Sequence, residues 1–307
     1  MSLFDIHNLY LSVILLNELK LTFLDFFQLT KMRLALSVVF SSIAGYVLAA
    51  DSISFASILL LFFGGYSMVG ASNTFNQLIE RDKDSLMERT LNRPLPKKRI
   101  NTSLAISIGV LLSVFGFMFL YFLNLKTAVF GLLSIFLYVF IYTPLKKITP
   151  LSVFTGAIPG AIPYMLGWVA YTGSFGIETG VLFLLQFFWQ FPHFWALAWI
   201  FDDDYKKAGF KMLPTGRKDR ASAFQIIFYS IWTILISLLP MTKYTGKLNI
   251  SIFGGFVVLI CGLIMLIFAF NLMKNKTVDS AKNLMYMSIF YLTSVQIVYI
   301  LDKYLIN

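Results

Sequence analysis

The chain has 307 residues, of which 58% are hydrophobic and 13% charged, and its formal net charge is +10. Soluble domains carry roughly 25% charged residues, so this composition, with a mean hydropathy of +0.77, excludes a soluble globular protein. A single cysteine excludes an intrachain disulfide, and two histidines exclude a His-rich metal site. The composition predicts an all-α integral membrane protein that lies in a lipid bilayer.

Residues 1–30 do not resemble a signal peptide, because they lack a basic start and polar side chains interrupt their apolar residues. They predict an amphipathic segment on the membrane surface, followed by a membrane domain over 31–307. A transmembrane helix needs about 20 mostly apolar residues. Nine such spans are predicted: 33–50, 54–78, 102–122, 127–144, 150–171, 178–200, 221–241, 249–272 and 284–304.

The distribution of basic residues predicts the orientation of the spans. With the N-terminus in the cytoplasm and the C-terminus outside, the inner segments contain 21 of the 25 lysines and arginines. The basic excess is therefore a topology signal combined with an anion site, and it does not indicate nucleic-acid binding.

The second span ends in a row of polar residues. Asn73, Asn76, Glu80 and Asp84 are three, four and four residues apart, so they share one face of a helix, whereas Asp82 lies off that face. A row of oxygen ligands suits a hard divalent cation such as Mg²⁺, which in turn binds a phosphorylated substrate. The arginines that follow, Arg89 and Arg93 among them, suit phosphate. Alternatively, this stretch is a solvated loop whose charges set topology.

A second acidic cluster follows the sixth span and opens on the same side of the membrane. Asp202, Asp203 and Asp204 are consecutive and repel one another unless a cation lies among them. Together with the first cluster they predict a clamp for a Mg²⁺-diphosphate. The alternative is that they cap a helix end in water.

The sixth span contains Gln186, Gln190 and His193, whose spacing of four and three places them on one helical face. Polar groups at this depth face the bundle interior or a cavity, because lipid offers no hydrogen-bond partners. Asp204 falls on the same stripe if the helix continues, about 16 Å from His193 at 1.5 Å per residue. Pro192 predicts a kink here.

Weaker signals lie elsewhere in the chain. Glycines and prolines between Gly156 and Gly167 interrupt the fifth span or permit close helix packing. Lys31 and Arg33 lie at the inner end of the first span, where they are interface anchors or anion ligands.

Four stretches together resemble the UbiA superfamily of intramembrane prenyltransferases, and within it the branch that modifies haem. They run from Asn76 to Pro94, from Tyr142 to Lys147, from Trp189 to Ala198, and from Asp204 to Pro214. The spacing of Asn76, Glu80 and Asp84 is similar to the first motif of the superfamily, with Glu80 in place of the usual aspartate. Asp204 matches the haem branch, and the second motif lacks a clean Asp-x3-Asp.

The resemblance implies a nine-helix UbiA-like bundle in the cell inner or plasma membrane that transfers a farnesyl group from farnesyl diphosphate to the 2-vinyl group of haem B. Water adds in the same reaction, giving haem O and diphosphate. It also implies partners such as haem A synthase or terminal-oxidase assembly proteins.

The resemblance and the spacing together assign the site residues. The predicted metal ligands are Asn76, Glu80, Asp84, Asp203 and Asp204. The predicted catalytic residues are Asn76, Glu80, Asp84, Asp204 and His193. Substrate contacts fall to His193, Gln190, Arg89, Arg93, Lys146 and Lys31. We expect His193 to act on the haem, because imidazole is a common axial ligand of haem iron. The alternative is a structural role, in which His193 is hydrogen-bonded to a neighbouring helix.

Two alternatives remain open on the sequence alone. One is a prenyltransferase of the same superfamily that acts on a quinone precursor, and the stretch from Trp189 to Ala198 argues against it. The other is a transporter of an anionic solute. Its polar residues should form a path across the membrane, whereas those of this chain cluster at one face.

Overall fold

The computed structural model describes residues 23–242 and 244–305, and these contain helices and no strand. Within this part of the chain, nine helices are long and apolar enough to cross a membrane, which confirms the predicted fold class. They are α1 (Met32–Ala49), α2 (Phe55–Asp84), α3 (Thr102–Tyr121), α4 (Leu125–Leu145), α5 (Ser152–Thr172), α6 (Ile177–Ile200), α7 (Arg220–Met241), α8 (Ile252–Asn275) and α9 (Val278–Leu305).

Two helices are longer than their apolar runs predict. α2 continues six residues beyond the predicted end at 78, so the whole acidic row is helical, and α9 begins at Val278 instead of 284. A hydropathy pattern ends the predicted helix where charged residues begin, although the helical backbone hydrogen bonds continue beyond that point. Most of the predicted surface segment 1–30 lies outside the described residues, and residues 23–29 are helical.

Polar caps fix where several helices begin. The side chains of five cap residues accept a hydrogen bond from a backbone N–H of the first turn: Ser54, Asn101, Asn124, Asp219 and Ser251. Such caps satisfy donors that have no partner within the helix, and each contributes about 1 kcal/mol. The apolar runs therefore start at defined residues.

α5 and α6 are the most buried spans, and α3 is the least buried. Small residues allow the close packing of α5 on α1: a Cβ atom added to Gly167 would overlap the carbonyl oxygen of Ser42. The two prolines of α5, Pro159 and Pro163, do not interrupt the helix, which differs from the predicted interruption. Neighbouring helices compensate, because Ser134 of α4 donates to the Pro159 carbonyl that Pro163 leaves free.

The connections after α2, α4 and α6 meet at one end of the bundle, here called the charged end. The carboxylate of Asp204 accepts hydrogen bonds from the backbone N–H groups of Glu88 and Arg89, both at 3.2 Å. The backbone N–H of Lys211 donates to the Lys146 carbonyl at 2.8 Å. The predicted meeting of the two acidic loops is thus present. At the opposite end, the ammonium of Lys303 caps the last carbonyls of α1.

Candidate active site

The polar row of α2 is turned into the bundle. Asn73, Asn76, Glu80 and Asp84 are each at most 3% exposed, whereas Asp82 is exposed, as the helical spacing predicts. A buried carboxylate is costly unless a cation or a hydrogen-bond donor lies beside it. The charged end must therefore supply partners for each of these oxygens.

Asn76 is oriented by α4. The hydroxyl of Thr143 donates to the carbonyl of Tyr138 at 2.8 Å, so its lone pair accepts a hydrogen bond from Asn76 Nδ2 at 3.2 Å. Asn76 Oδ1 is thereby turned toward Lys31, whose Nζ donates to it at 3.2 Å. Lys31 adopts a left-handed conformation (φ 50°, ψ 57°) directly before α1. Residues other than glycine rarely adopt this backbone conformation, and such strain concentrates at functional sites.

Glu80 forms a buried ion pair with Lys146. Lys146 Nζ lies 2.8 Å from Glu80 Oε1, and both side chains are nearly inaccessible to solvent. Burial lowers the pKa of the Lys146 ammonium, but the charge and hydrogen bond of Glu80 outweigh it, and the net result is a raised pKa. Lys146 is therefore a permanent cation at this site. Removing one partner of such a pair costs about 3–5 kcal/mol.

Lys146 follows an unusual stretch of α4. Residues Leu137–Tyr142 form a π-helix between two α-helical parts. π-segments are rare and often lie at functional sites, because they shift the register of the residues that follow. Here the shifted residues are Thr143 and Lys146, the two that contact α2. The Lys146 ammonium also lies 4.6 Å from the centre of the Tyr142 ring.

Asp84 is paired on one side only. Arg93 Nη1 lies 2.8 Å from Asp84 Oδ2, whereas Asp84 Oδ1 is buried and has no hydrogen-bond partner among the described residues. An orphaned carboxylate oxygen in a buried position is costly, and each such group needs an explanation. A ligand or a metal ion that binds at Asp84 Oδ1 would supply the missing partner.

The second acidic cluster divides its roles. Asp204 links the loops through the backbone of Glu88 and Arg89, and Asp202 pairs with Lys206 at 2.7 Å. Asp203 is exposed and stands apart from these contacts.

Arg89 is exposed beside this cluster. Its guanidinium carbon lies 4.6 Å from the centre of the Phe201 ring, and Nη2 donates to the hydroxyl of Tyr205 at 3.4 Å. Of the predicted metal and phosphate ligands, Asp203 and Arg89 are exposed and lie outside the buried row. Asp204 also lies outside it and uses its carboxylate to join the two loops.

The donor set fits Mg²⁺. Among the described residues no three histidine, cysteine or acidic side chains are grouped to hold a metal ion. Mg²⁺ does not require such a cage, because it binds through one or two carboxylates together with waters and substrate phosphates. Asn76 Oδ1, Glu80 and the free Oδ1 of Asp84 are hard oxygen donors on one face of α2. Their cationic neighbours suit a diphosphate.

A cavity of about 700 Å³ extends into the bundle from Asn73, the residue of the polar row that lines it. Helices α1, α2, α4, α5, α6 and α9 line it, and Asn73, Tyr138 and Tyr142 form the wall nearest the row. Exposed lining residues, Leu34 and Phe40 of α1 and Ile289 of α9, mark where it opens to the side of the bundle.

The predicted polar face of α6 reaches this cavity, since Gln186, Gln190 and His193 all line it. The two glutamines also hold the proline-containing α5. Gln190 Nε2 donates to the Ala157 carbonyl at 2.9 Å, and Gln186 Oε1 accepts from the backbone N–H of Tyr164 at 3.3 Å. Gln190 therefore positions a cavity wall.

His193 Nδ1 lies 2.9 Å from the hydroxyl of Ser288 on α9. α6 ends at Ile200 and a separate helix, Asp202–Ala208, begins after Phe201, so the condition for a continuous stripe from His193 to Asp204 is not met.

Three site residues were missed by the sequence reasoning: Tyr138, Thr143 and Ser288. Thr143 lies within a stretch that carried the family resemblance, but its contact with Asn76 depends on the π-segment, which no sequence pattern indicates. Ser288 lies 95 positions from His193, and only the packing of α9 on α6 brings them together.

Comparison with known proteins extends this description. Residues 38–294 match the UbiA prenyltransferase family. A relative named protoheme IX farnesyltransferase from Christiangramia forsetii is 59% identical over 281 residues, covering 92% of this chain and 94% of the relative.

Solved structures share the fold. A digeranylgeranylglyceryl phosphate synthase matches with a TM-score of 0.75 at 18% identity, covering 93% of this chain and 98% of the other. A UbiA homologue from Archaeoglobus fulgidus, bound to GPP and Mg²⁺, matches with a TM-score of 0.64 at 15% identity, with 90% and 99% covered.

Proposed function

The chain belongs to the UbiA prenyltransferase family, and from this premise we propose that it transfers a farnesyl group from farnesyl diphosphate to the 2-vinyl group of haem B, giving haem O and diphosphate. The protein is a multi-pass membrane enzyme. The name of the relative that is 59% identical to it supports haem as the acceptor and farnesyl as the donated group.

The observation that carries the proposal is the junction between a cationic polar row and a large, mostly apolar cavity. Lys31, Lys146 and Arg93 surround the buried oxygens of Asn76, Glu80 and Asp84. A prenyl diphosphate has the same division, with a highly charged head and a long hydrocarbon chain. The row would bind the head, while the cavity accepts the farnesyl chain and the porphyrin.

The cations of the row would assist departure of the diphosphate. When the C–O bond of farnesyl diphosphate breaks, negative charge develops on the diphosphate, and fixed cations in a water-poor site stabilise it. Asn76, Glu80 and Asp84 would hold a Mg²⁺ ion, which neutralises part of the same charge. The A. fulgidus homologue bound to GPP and Mg²⁺ supports this requirement in the family.

The cavity would direct the cation that remains. The rings of Tyr138, Tyr142 and Trp189 line it, and aromatic faces stabilise positive charge. The terminal carbon of the haem vinyl group donates its π electrons to the farnesyl cation and forms the new C–C bond. Water then adds to the resulting cation with loss of a proton, which gives the hydroxyl group of haem O.

We assign His193 to the haem and not to the diphosphate. It lines the cavity among apolar and aromatic residues, and its Nδ1 is occupied by Ser288. Nε2 is then the free nitrogen for the haem iron, and an axial bond would orient the porphyrin and its vinyl group.

The test is direct. The purified protein, with haem B, farnesyl diphosphate and Mg²⁺, should form haem O, which mass spectrometry detects as a gain of one farnesyl group and one hydroxyl group. Prenylation of 4-hydroxybenzoate without prenylation of haem would favour the alternative acceptor and overturn the proposal. Matched reactions without Mg²⁺ should give no product.

A further inference from the structure

Residues Trp189 and Ser288 surround His193 in a way that fixes the state of its imidazole ring. The hydroxyl of Ser288 donates to the carbonyl of Met285, one turn earlier in α9, at 2.7 Å. Its proton is therefore used, and toward His193 the oxygen presents a lone pair. Since Ser288 Oγ lies 2.9 Å from His193 Nδ1, this arrangement favours an imidazole that donates at Nδ1.

Trp189 holds the same arrangement from the side. Its ring stacks on the imidazole with the centroids 4.8 Å apart and the planes inclined by 16°. Its Nε1 donates to the backbone carbonyl of Ser288 at 2.6 Å. The indole ring that stacks on His193 is thus hydrogen-bonded to Ser288, the residue that also contacts His193 Nδ1. A half-turn of the imidazole about χ2 would keep the stacking and lose the contact between Nδ1 and Ser288.

We infer that Ser288 is a positioning residue that holds His193 as the Nδ1–H tautomer, so that the lone pair of Nε2 is presented to the cavity as a ligand for the iron of a bound porphyrin. This inference rests on the proposed function, in which haem is the acceptor. Metal-bound histidines generally donate their other ring nitrogen to a fixed acceptor, which sets the tautomer and raises the basicity of the ligand. Among the described residues, Nε2 has no hydrogen-bond partner in the fold.

The same geometry excludes a different role for His193. With Nδ1 donating to Ser288 and Nε2 unprotonated, the side chain has no proton to give to a group in the cavity. In this neutral state His193 can accept a proton or bind a metal there, and it has no proton to donate as a general acid. A neutral, unprotonated nitrogen is a suitable ligand for a porphyrin iron.

The experiment titrates the purified full-length protein with ferric haem B and records the Soret band and the EPR spectrum. Ser288→Ala removes the acceptor, Ser288→Thr keeps a hydroxyl, and Ser294→Ala is a matched control on the same helix. We expect Ser288→Ala to shift the Soret band, alter the EPR signal and weaken haem binding by about tenfold, the lower end for loss of an outer-shell partner. Ser288→Thr should restore all three, and Ser294→Ala should change none.

The outcomes separate this inference from the proposed function. If Ser288→Ala binds haem with unaltered spectra and affinity, or if Ser288→Thr is as impaired as Ser288→Ala, Ser288 does not position a ligand. If His193→Ala leaves the spectra unchanged, the iron has another ligand and the inference fails while haem remains the acceptor. If the unaltered protein does not bind haem, both fail. Binding of farnesyl diphosphate, measured in parallel, should be unchanged in all variants and reports correct folding.

Discussion

Asp84 and Asp82 are two residues apart on one helix, yet only Asp84 is buried and half-paired. We predict that Asp84→Asn lowers kcat on the order of 100-fold, the loss typical when one preorganised electrostatic group is removed from an active site. Asp82→Asn, the matched control, should keep near-normal activity because its side chain is exposed. The check is haem O formation at saturating substrates, and equal rates for the two variants would contradict a role for Asp84.

Lys31 predicts a dependence on pH. Burial, together with the charges of Arg93 and Lys146, lowers the pKa of its ammonium, and Glu80 and Asp84 only partly oppose this. The charge that binds diphosphate is therefore present at low pH and is lost as pH rises through the lowered pKa. Affinity for farnesyl diphosphate should fall over the same pH range.

Arginine stays protonated over this range, so Lys31→Arg should flatten that fall in affinity. Isothermal titration of the protein with farnesyl diphosphate at a series of pH values measures the effect. An identical pH profile in the unaltered protein and in Lys31→Arg would show that another group titrates.

Arg33 gives a prediction about the haem propionates. It is the one charged side chain among the described residues that line the cavity, and no hydrogen bond or ion pair within the described part of the chain involves it. Guanidinium groups bind carboxylates in a bidentate manner. Arg33→Ala should weaken binding of haem B about tenfold while leaving binding of its dimethyl ester unchanged.

The comparison of haem B with its ester isolates the propionate contact from general damage to the cavity. Arg220→Ala, which removes an exposed arginine outside the cavity lining, is the control. An equal loss of affinity for haem and for the ester would remove Arg33 from propionate binding.

At the scale of single residues, helical spacing alone predicted that the four residues of the α2 row share one face, and the structure turns that face into the bundle. Spacing did not distinguish Asp203 from Asp204, which only the family resemblance separated, because three consecutive carboxylates look alike until the local helix turns one outward and two inward. Nor could it pair Glu80 with Lys146, which are 66 positions apart. Spacing reports which face a residue occupies, and long-range partners depend on packing.

At the scale of elements, Asp204 joins the loops after α2 and α6. We predict that Asp204→Ala lowers the free energy of unfolding by roughly 2 kcal/mol, the range for hydrogen bonds to a charged group. The same variant should weaken farnesyl diphosphate binding, since Arg89 and Arg93 lie in the loop that it fixes. Asp203→Ala should do neither. Thermal unfolding and diphosphate titration test both, and similar behaviour of the two variants would contradict the junction.

The hydropathy pattern predicted the nine spans that the described residues contain, because a segment that crosses lipid must satisfy its own backbone hydrogen bonds and is therefore helical. Interior details escaped it. The prolines of α5 indicated an interruption, yet side chains of α4 and α6 satisfy its backbone and the helix continues. Element ends that are charged, as in α2 and α9, lie beyond what an apolar window detects.

At the scale of the whole molecule, the basic residues predict that the charged end faces the cytoplasm and that 303–307 face the opposite side. Fusions of a cytoplasmic reporter after Arg99 and after Arg220 should be active, and a periplasmic reporter at these positions should be inactive. The reverse pattern would invert the assignment. Fusion after Asn307 should give the opposite result from both.

The π-segment of α4 makes the active site sensitive to the number of residues in this span. Its turns contain more residues than α-helical turns, so this span behaves as a helix with an insertion, and the residues downstream are rotated with respect to a regular helix. A deletion of one lipid-facing residue, such as Phe140, would leave composition and length adequate for the membrane. It would nevertheless rotate Thr143 and Lys146 about the helix axis, away from Asn76 and Glu80. A change in helical register, with every site residue retained, would thus break the ion pair between Lys146 and Glu80.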